Sequence, residues 1–589
     1  MSNRLKLFRG LIICLIAVFI AAIPQGLSAR EREIRYLPFN FTIDVFATGH
    51  INGHVIDWDY SIPQTSEIGL AKVHTIVRNA RLNNRFDIML DAGSLQYGSA
   101  MTTHHANSGF RGIHPMIRAT NFMFYDGLVL GGNDFAHGTE ELARAISQSN
   151  ATILAANVYD ARTGRRWNRT QPYIIKTFDV GHRTRVSVGV IGVTDRAGLP
   201  EGETFNDLNI TDQVEAVRKY TRELQRRKVD AIIVVTHSAL DLREGERNPV
   251  VAIAQNCPGI NLIISANRFS VIDEANPIVD RDRNIVYERA RINGVPILSS
   301  GQNGAFVGRA SLLFEMFGRR YWLKSVSTSN ISTSGVRPDR ELSNVIWPYH
   351  DATLQAQTRI IGYAGRDFES TDAASRNLAA IEFLNRVQLH FSNAQLSAAY
   401  LFNLDPTLRQ GPITIQDVNS FYPYNNRSLY AIEISGGQLK HYLEHAARYF
   451  RTFKEGDRVI RVGGENNDMA ESSYDIVQGV NYVIDITRPV GDRIRDITYQ
   501  GRPVEVNDVF TMAISSSRLN GMGGYLAAMG FDRNNPPTIV YDSRSDFGRA
   551  DQIQGLIAQY IRERRTIWPE TPTNFKIVTA PFQPVETKF

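Results

Sequence analysis

The stretch FTIDVFATGHINGHVIDWDY, residues 41–60, joins an apolar run typical of a buried β-strand to a segment rich in histidine and aspartate. Further short apolar runs recur up to about residue 325, with helical segments between them. They are FDIMLDAG, GLVLGGND, ATILAANV, RVSVGVIGV, DAIIVVTH, INLIISAN and VPILSSG. Short β-rich runs that alternate with helices predict an α/β fold.

Polar residues follow these strands, ending them in Gly, Asn, Asp, Ser or His. In α/β folds, ligands bind in the crevice outside the carboxyl ends of the strands, so these residues are expected to converge on one site. One helix between the strands is well marked. Asp212 and Glu215 have the spacing of a capping box, and Val217, Tyr220 and Leu224 follow on one face.

Length and composition predict a two-domain globular chain. A length of 589 residues is too great for one ordinary domain. A hydrophobic share of 43% and a charged share of 21% are typical of a globular chain. The net charge of +5 comes from dispersed Arg and Lys, so nucleic acid is not expected as a partner. Of the two cysteines, Cys14 lies near the amino terminus and only Cys257 remains further along, which excludes a disulfide within the mature chain.

Residues 1–29 have the pattern of a secretory signal peptide. Arg4, Lys6 and Arg9 precede the apolar run LIICLIAVFIAAI, and small residues end the segment at Ala29. Cleavage near Ala29 would make the protein secreted or periplasmic, with no membrane span in the mature chain. An uncleaved amino-terminal anchor is the alternative, although the run is shorter than the roughly 18 to 20 residues that span a bilayer.

The mature chain is predicted to have two domains joined by a helix. Residues 38–340 form the first domain, the polar stretch 341–365 an interdomain helix and hinge, and residues 366–589 a second α/β domain.

Four segments in order resemble the secreted 5'-nucleotidase superfamily, and within it the periplasmic 2',3'-cyclic-nucleotide 2'-phosphodiesterase/3'-nucleotidases. They are DWDY at 57–60, ANVYDARTG at 156–164, HDAT at 350–353 and YDIVQGVNYVIDITRP at 474–489. The resemblance implies a calcineurin-like metallophosphatase β-sandwich flanked by helices, followed by a nucleotide-binding 5'-nucleotidase C-terminal domain. It also implies two divalent metals, Mn, Zn, Co or Fe, that activate water.

The family's metal ligands are mostly replaced here. The family's Asp-x-His falls on His50 and Asn52, its bridging Asp on Ser94, and its Gly-Asn-His-Glu-Phe motif on GGNDF, which puts Gly132 at the ligand Asn and Asn133 at the general acid. The histidine His237 is kept, whereas the family's Gly-His-x-His gives Asn267 and Phe269. By this alignment one of the seven ligands remains.

Neutral groups in place of both aspartates predict that the site at these strand ends holds no metal, because carboxylates offset the repulsion between two divalent cations. A new site built from His50, His54, His237, Asp134 or His137 is the alternative, which needs three or four of them to converge. His54 and His137 have a second interpretation as exposed loop residues, and His104 and His105 are expected on a surface loop.

Two tyrosines match the aromatic clamp that holds the nucleotide base in the family. Tyr424 lies in FYPYNN, with Tyr422 as a close alternate, and Tyr525 lies in GMGGYLAAMG. Stacking on aromatic rings tolerates any base, so the pair predicts weak and unselective nucleoside binding. Packing of the domain surface or hinge is the alternative role.

Three functions stay open at this point. One is an inactive relative that binds nucleosides or nucleotides. Another is an active metal-dependent phosphoesterase with a rewired site, and the third is an envelope interaction scaffold.

Overall fold

The structure is a computed structural model that describes residues 39–579 apart from short gaps. The gaps are 61–62, 110–111, 182–183, 196–206, 241–247, 267–270, 277, 281–284, 319, 369–378, 401–407, 425–426, 467–468, 470–473, 533, 548–551 and 572. The predicted signal peptide lies outside the described residues. None of the helices within them is long and apolar enough to cross a bilayer.

The first strand of the opening stretch, Asn40–Thr48, lies inside a six-stranded mixed sheet. It pairs antiparallel with Phe306–Phe317 and parallel with Asp87–Asp91. The order across the sheet is Arg320–Ser332, Phe306–Phe317, Asn40–Thr48, Asp87–Asp91, Gly127–Val129 and Thr152–Leu154. Because the last four strands are parallel, their carboxyl ends share one edge.

A seven-stranded sheet packs against the first. Its order is Val271–Ile272, Val295–Ser300, Leu262–Ser265, Ala231–Thr236, Thr184–Val193 and Tyr173–Gly181, with Arg291–Ile292 paired to Val295–Ser300. Buried side chains of both sheets, such as Val45 and Val188, form one apolar core. The two sheets therefore form the predicted β-sandwich.

Helices cover both outer faces of the sandwich. Leu70–Asn83, Ala100–Asn107, Pro115–Met123 and Gly138–Ile146 pack on the first sheet, and Gln213–Arg226 and Pro249–Asn256 on the second. The helix Gln213–Arg226 begins where its sequence predicts, because the Asp212 carboxylate accepts the Glu215 N–H at 2.8 Å. Val217, Tyr220 and Leu224 are buried on its inner face.

Short elements complete this part of the chain. They are the strand pairs Trp58–Asp59 with Gln64–Thr65, Val158–Asp160 with Leu208–Ile210, and Ile278–Asp280 with Ile285–Tyr287, and the 3-10 turns Gly132–Phe135 and Glu288–Ala290.

Residues 364–575 enclose a separate apolar core. A three-stranded sheet has the order Gly411–Thr414, Ile360–Ala364 and Thr566–Ile567. A five-stranded sheet has the order Ile476–Gln478, Leu396–Ala399, Val509–Ser515, Leu429–Ser435 and Ile539–Asp542. A four-stranded sheet has the order Arg502–Pro503, Ile494–Tyr499, Asn481–Asp485 and Phe575–Val578. The helices of this part of the chain are Ala379–Ser392, Ile415–Phe421, Gly436–Ala447, Ser516–Leu519, Tyr525–Ala528, Ser543–Phe547 and Ile553–Arg564, and Met522–Gly524 is a 3-10 turn.

The stretch 341–365 divides into two elements. The helix Arg340–Gln357 is capped by Asp339 and ends before the strand Ile360–Ala364. The prediction for this stretch is a helix and hinge, and its last residues IIGYA form a strand that pairs with Gly411–Thr414 and Thr566–Ile567. The domain boundaries at 38–340 and 366–589 stay predictions.

Candidate functional site

Three strand ends bring His50, Ser94 and His237 together. They follow Asn40–Thr48, Asp87–Asp91 and Ala231–Thr236. The rings of His50 and His237 are 4.9 Å apart between centroids, and the Ser94 hydroxyl is 3.1 Å from His237 Nε2. These side chains, together with Asn52, define the crater.

The crater loops have an unusual backbone. His50, Asn52 and Ser94 adopt positive φ values of 46°, 51° and 56°. The two loops are tied together, because the His50 and Asn52 N–H groups donate to the Gly93 and Ser94 carbonyls at 2.9 Å. Left-handed conformations at non-glycine residues store strain and concentrate at functional sites.

His237 is fixed on both sides of its ring. Its Nδ1 lies 3.0 Å from the Ala92 carbonyl. A carbonyl only accepts, so Nδ1 carries the proton and neutral Nε2 accepts from the Ser94 hydroxyl. The ring packs closely on the chain, since a Cβ at Gly131 would lie 2.4 Å from its Cε1. Burial lowers the pKa of His237, which favours this neutral form.

Asp134 holds the loop beneath Ser94. Its buried carboxylate accepts the N–H groups of Gly131, Ser94, Leu95 and Gln96 at 2.8 to 3.0 Å. Burial raises the pKa of Asp134 to about 6, against the effect of these hydrogen bonds. Sequence analysis missed this role of Asp134. The sequence signal was an aspartate two residues after the glycine pair 131–132.

Asp91 is a second buried carboxyl below the crater. It accepts from the Thr48 hydroxyl at 2.6 Å and the Gly93 N–H at 2.8 Å. Burial raises its pKa to about 8. Both carboxyls are therefore engaged by the chain itself.

The other predicted positions are partly visible. Gly132 begins the 3-10 turn Gly132–Phe135. The Asn133 side chain, Asn267 and Phe269 lie outside the part of the chain that the structure describes.

Among the five residues of the alternative site, His50, His54, His237, Asp134 and His137, the rings of His50 and His237 lie side by side. His54 is partly buried, and burial lowers its pKa to about 4. His137 contacts the Tyr97 ring at 4.3 Å between centroids. Within the described ranges, no three His, Cys, Asp or Glu side chains are placed to hold one metal ion.

The surface loop expected around His104 and His105 is wrong. Both lie in the helix Ala100–Asn107, which begins because the Ser99 hydroxyl caps Thr102 N–H. His105 is buried and packs against His114 and Tyr349.

The tyrosines of the predicted clamp differ in their surroundings. Tyr525 is fully buried; its hydroxyl accepts the Asp475 N–H at 3.0 Å, and its ring lies 4.4 Å from that of Tyr442. Tyr422 is also buried. Stacking a base on Tyr525 therefore requires movement of its neighbours, which its sequence context did not show.

Tyr424 is the more accessible ring of the three. It is half-buried, and the Arg427 guanidinium lies 3.5 Å from its ring centroid. Arg427 was not predicted, although its position three residues after Tyr424 is visible in YNNRSL. The Tyr424 ring therefore lies between the Arg427 guanidinium and the neighbouring Tyr422 ring, 6.1 Å away between centroids.

Comparison with known proteins identifies one domain and several relatives. Residues 354–529 match the model of the 5'-nucleotidase C-terminal domain. Similarity to the 2',3'-cyclic-nucleotide 2'-phosphodiesterase/3'-nucleotidase of Salmonella typhimurium, at 23% identity, covers 91% of this chain and 89% of that protein. The chain therefore contains a 5'-nucleotidase C-terminal domain and is similar over most of its length to a cyclic-nucleotide phosphodiesterase.

Two further similarities agree with this assignment. The trifunctional nucleotide phosphoesterase YfkN of Bacillus subtilis is 24% identical over 91% of this chain, which spans 39% of that longer protein. A Staphylococcus aureus protein assigned as a 5'-nucleotidase, crystallised with alpha-ketoglutarate, has the same fold. Its TM-score is 0.69 at 21% identity, over 91% of this chain and 100% of that one.

The crater residues do not fit the two divalent metals of the superfamily. His237 uses both ring nitrogens on Ala92 and Ser94, and the Asn52 amide donates to the His50 carbonyl at 2.7 Å. The nearby carboxylates of Asp134 and Asp91 bind the Ser94 loop and Thr48 instead. A neutral set of internally bonded side chains provides no charge to offset two cations.

Proposed function

We propose that the protein is a secreted member of the 5'-nucleotidase superfamily that has lost metal-dependent phosphoester hydrolysis and binds nucleosides or nucleotides weakly. One observation carries the loss of activity. The Ser94 hydroxyl is hydrogen-bonded to His237 at the position where the family has its bridging aspartate.

Electrostatics supports this proposal. Two unit charges 4 Å apart repel by about 4 kcal/mol at an effective dielectric constant of about 20, so two divalent ions repel by roughly four times as much. In an active relative, carboxylates offset that energy. Ser94 and His50 supply no negative charge to offset the repulsion between two cations.

Secretion rests on residues 1–29. Three basic residues, an apolar run and small residues at its end have the order of a cleavable signal. The mature chain would then begin near Arg30.

Nucleoside binding rests on Tyr424. A single stacked base contributes roughly 1 to 3 kcal/mol, and ordering of the ligand subtracts from that. Because about 4 kcal/mol corresponds to a millimolar dissociation constant, we expect millimolar affinity with little discrimination among bases. A crater without metals predicts that adenosine and AMP bind within a few-fold of each other.

Ligand-observed NMR with adenosine and AMP tests this binding. Tyr424→Ala should abolish saturation transfer, whereas the exposed Tyr363→Ala control should leave it unchanged. Tyr525→Ala is unsuitable as a test because it would leave a cavity in the core and destabilise the fold. Absence of binding at several millimolar, or equal binding by Tyr424→Ala, would favour the interaction scaffold.

Hydrolysis of 2',3'-cyclic AMP, 3'-AMP, 5'-AMP and bis-p-nitrophenyl phosphate tests the loss of activity. Rates should stay at background with added metal. Without a metal, the pKa of the attacking water rises from about 7 far above the physiological range. Metal-dependent turnover that copurifies with the protein and disappears in His237→Ala would establish a rewired phosphoesterase instead.

A further inference from the structure

We propose that Ser94 and His237 form a nucleophile and base pair that hydrolyses small uncharged carboxylic esters without a metal. The pair lies in the crater where an active relative would hold its metals. This activity is separate from nucleoside binding and from the lost phosphoesterase chemistry.

The geometry of the pair is that of an activated serine. Ser94 Oγ is 3.1 Å from His237 Nε2, and His237 Nδ1 is 3.0 Å from the Ala92 carbonyl. A nucleophile within hydrogen-bond reach of a base, with the base oriented by a third group, is the signature of nucleophilic catalysis. Here a backbone carbonyl is the orienting group.

Both side chains are held rigidly by the chain. The Ser94 N–H donates to Asp134 and its carbonyl accepts the Asn52 N–H, which fixes its left-handed backbone. The His237 ring packs against Gly93 and Gly131, where any Cβ would come within 2.8 Å of it. Such preorganisation reduces the entropy lost on the way to the transition state.

Charge and burial select the substrate class. A phosphate ester needs cations to neutralise its oxygens, and the crater side chains His50, Asn52, Ser94 and His237 form a neutral, internally bonded set. Ser94 is 2% exposed and His237 7% exposed, so the substrate class is limited to small groups. A short acyl group such as acetyl meets both conditions.

The reaction balances with water as the only co-reactant. Ser94 Oγ bonds to the carbonyl carbon while its proton passes to His237 Nε2. The ester C–O bond then breaks, and the departing alkoxide takes that proton to leave as the alcohol. Water repeats the sequence on the acyl-serine, releasing the carboxylic acid and restoring Ser94.

Slow turnover is expected. The N–H groups of Ser94, Leu95 and Gln96 all donate to Asp134, so they do not stabilise an oxyanion. Loss of one such donor reduces the rate about 100- to 1,000-fold in serine hydrolases. A covalent intermediate is therefore a better readout than product release.

The test is covalent labelling of the mature protein in chelator. Incubation with p-nitrophenyl acetate, or with a small phosphonofluoridate whose fluoride leaves, is followed by peptide mass mapping. We expect one label, on Ser94. Labelling should be lost in Ser94→Ala, fall about 100-fold or more in His237→Gln, and persist in the exposed control Ser334→Ala.

Mapping on the unmodified chain decides the question even if a crater variant fails to fold. Absence of label on Ser94, or equal labelling of folded His237→Gln, would overturn the proposal. Neither result depends on nucleoside binding or on metal content.

Discussion

Asp475 is the buried partner of Arg518 beneath the predicted base site. Arg518 Nη2 lies 2.6 Å from its carboxylate, and both side chains are at most 2% exposed. The Tyr442 hydroxyl also donates to it. Asp475→Asn should destabilise the protein by about 3 to 5 kcal/mol, because it leaves a buried guanidinium without a counter-charge. Urea unfolding measures the change.

Asp492 provides the matched control. It pairs with Arg488 and Arg495 at the surface, where its side chain is 44% exposed. Asp492→Asn should leave the unfolding midpoint unchanged, since solvent screens such pairs. Equal effects of the two substitutions would contradict the assignment of Asp475 as a buried counter-ion.

Asp91 makes stability depend on pH. Burial raises its pKa to about 8, so the folded state binds the proton more tightly than the unfolded chain, whose pKa is about 3.9. The contribution of the bound proton to the free energy of unfolding is complete below about pH 4. It is lost as the pH rises toward 8. Asp91→Asn is uncharged like the protonated form, keeps an amide oxygen that can accept the Gly93 N–H and should flatten this loss between pH 5 and 8.

Chemical unfolding at several pH values measures that slope. An unchanged slope in Asp91→Asn would show that Asp91 is ionised in the folded protein.

Sequence analysis predicted one site for His50, Ser94 and His237 because each follows a strand and because the resemblance puts all three at metal-ligand positions. It did not show the hydrogen bond between Ser94 and His237, or the four N–H groups on Asp134, since these depend on side-chain orientation. Tyr525 illustrates the same limit. A tyrosine after two glycines indicates a close backbone approach but not which side of the ring is buried.

At the scale of elements, Gly131 lies where the strand Gly127–Val129 leads into the 3-10 turn. A Cβ there would lie 2.4 Å from both His237 Cε1 and Ser94 N. Gly131→Ala should destabilise the protein by about 1 to 3 kcal/mol through overpacking. It should also displace His237, which shifts the imidazole NMR signals.

Gly49→Ala is the control at a neighbouring strand end. Its Cβ would meet Ala92 Cβ at 3.4 Å, an ordinary contact. Thermal unfolding should therefore separate the two alanine variants. Equal melting temperatures would mean that the glycine contact does not position His237.

Element prediction succeeded where local signals and tertiary structure agree. The Asp212 cap and apolar face predicted the helix Gln213–Arg226. The segment around His104 was misassigned, although the Ser99 cap directly before its helix is a local signal. The strand at 360–364 depends on pairing with residues 411–414 and 566–567, which are distant in sequence.

At the scale of the molecule, strand and helix alternation predicted the α/β class, and the resemblance supplied the β-sandwich and second domain. The exact strand order was not predictable, because the strand Asn40–Thr48 pairs with the distant strand Phe306–Phe317. The family also predicts a chemistry that the crater no longer fits. Function therefore has to be argued from the crater residues.

Metal analysis of the purified mature protein, beginning near Arg30, tests the central claim most directly. Elemental mass spectrometry after brief dialysis should find no stoichiometric Mn, Zn, Co or Fe, because His50 and Ser94 stand where the family has carboxylates. One ion lost in His237→Ala would indicate a rewired site. Two tightly held ions per chain would contradict the account.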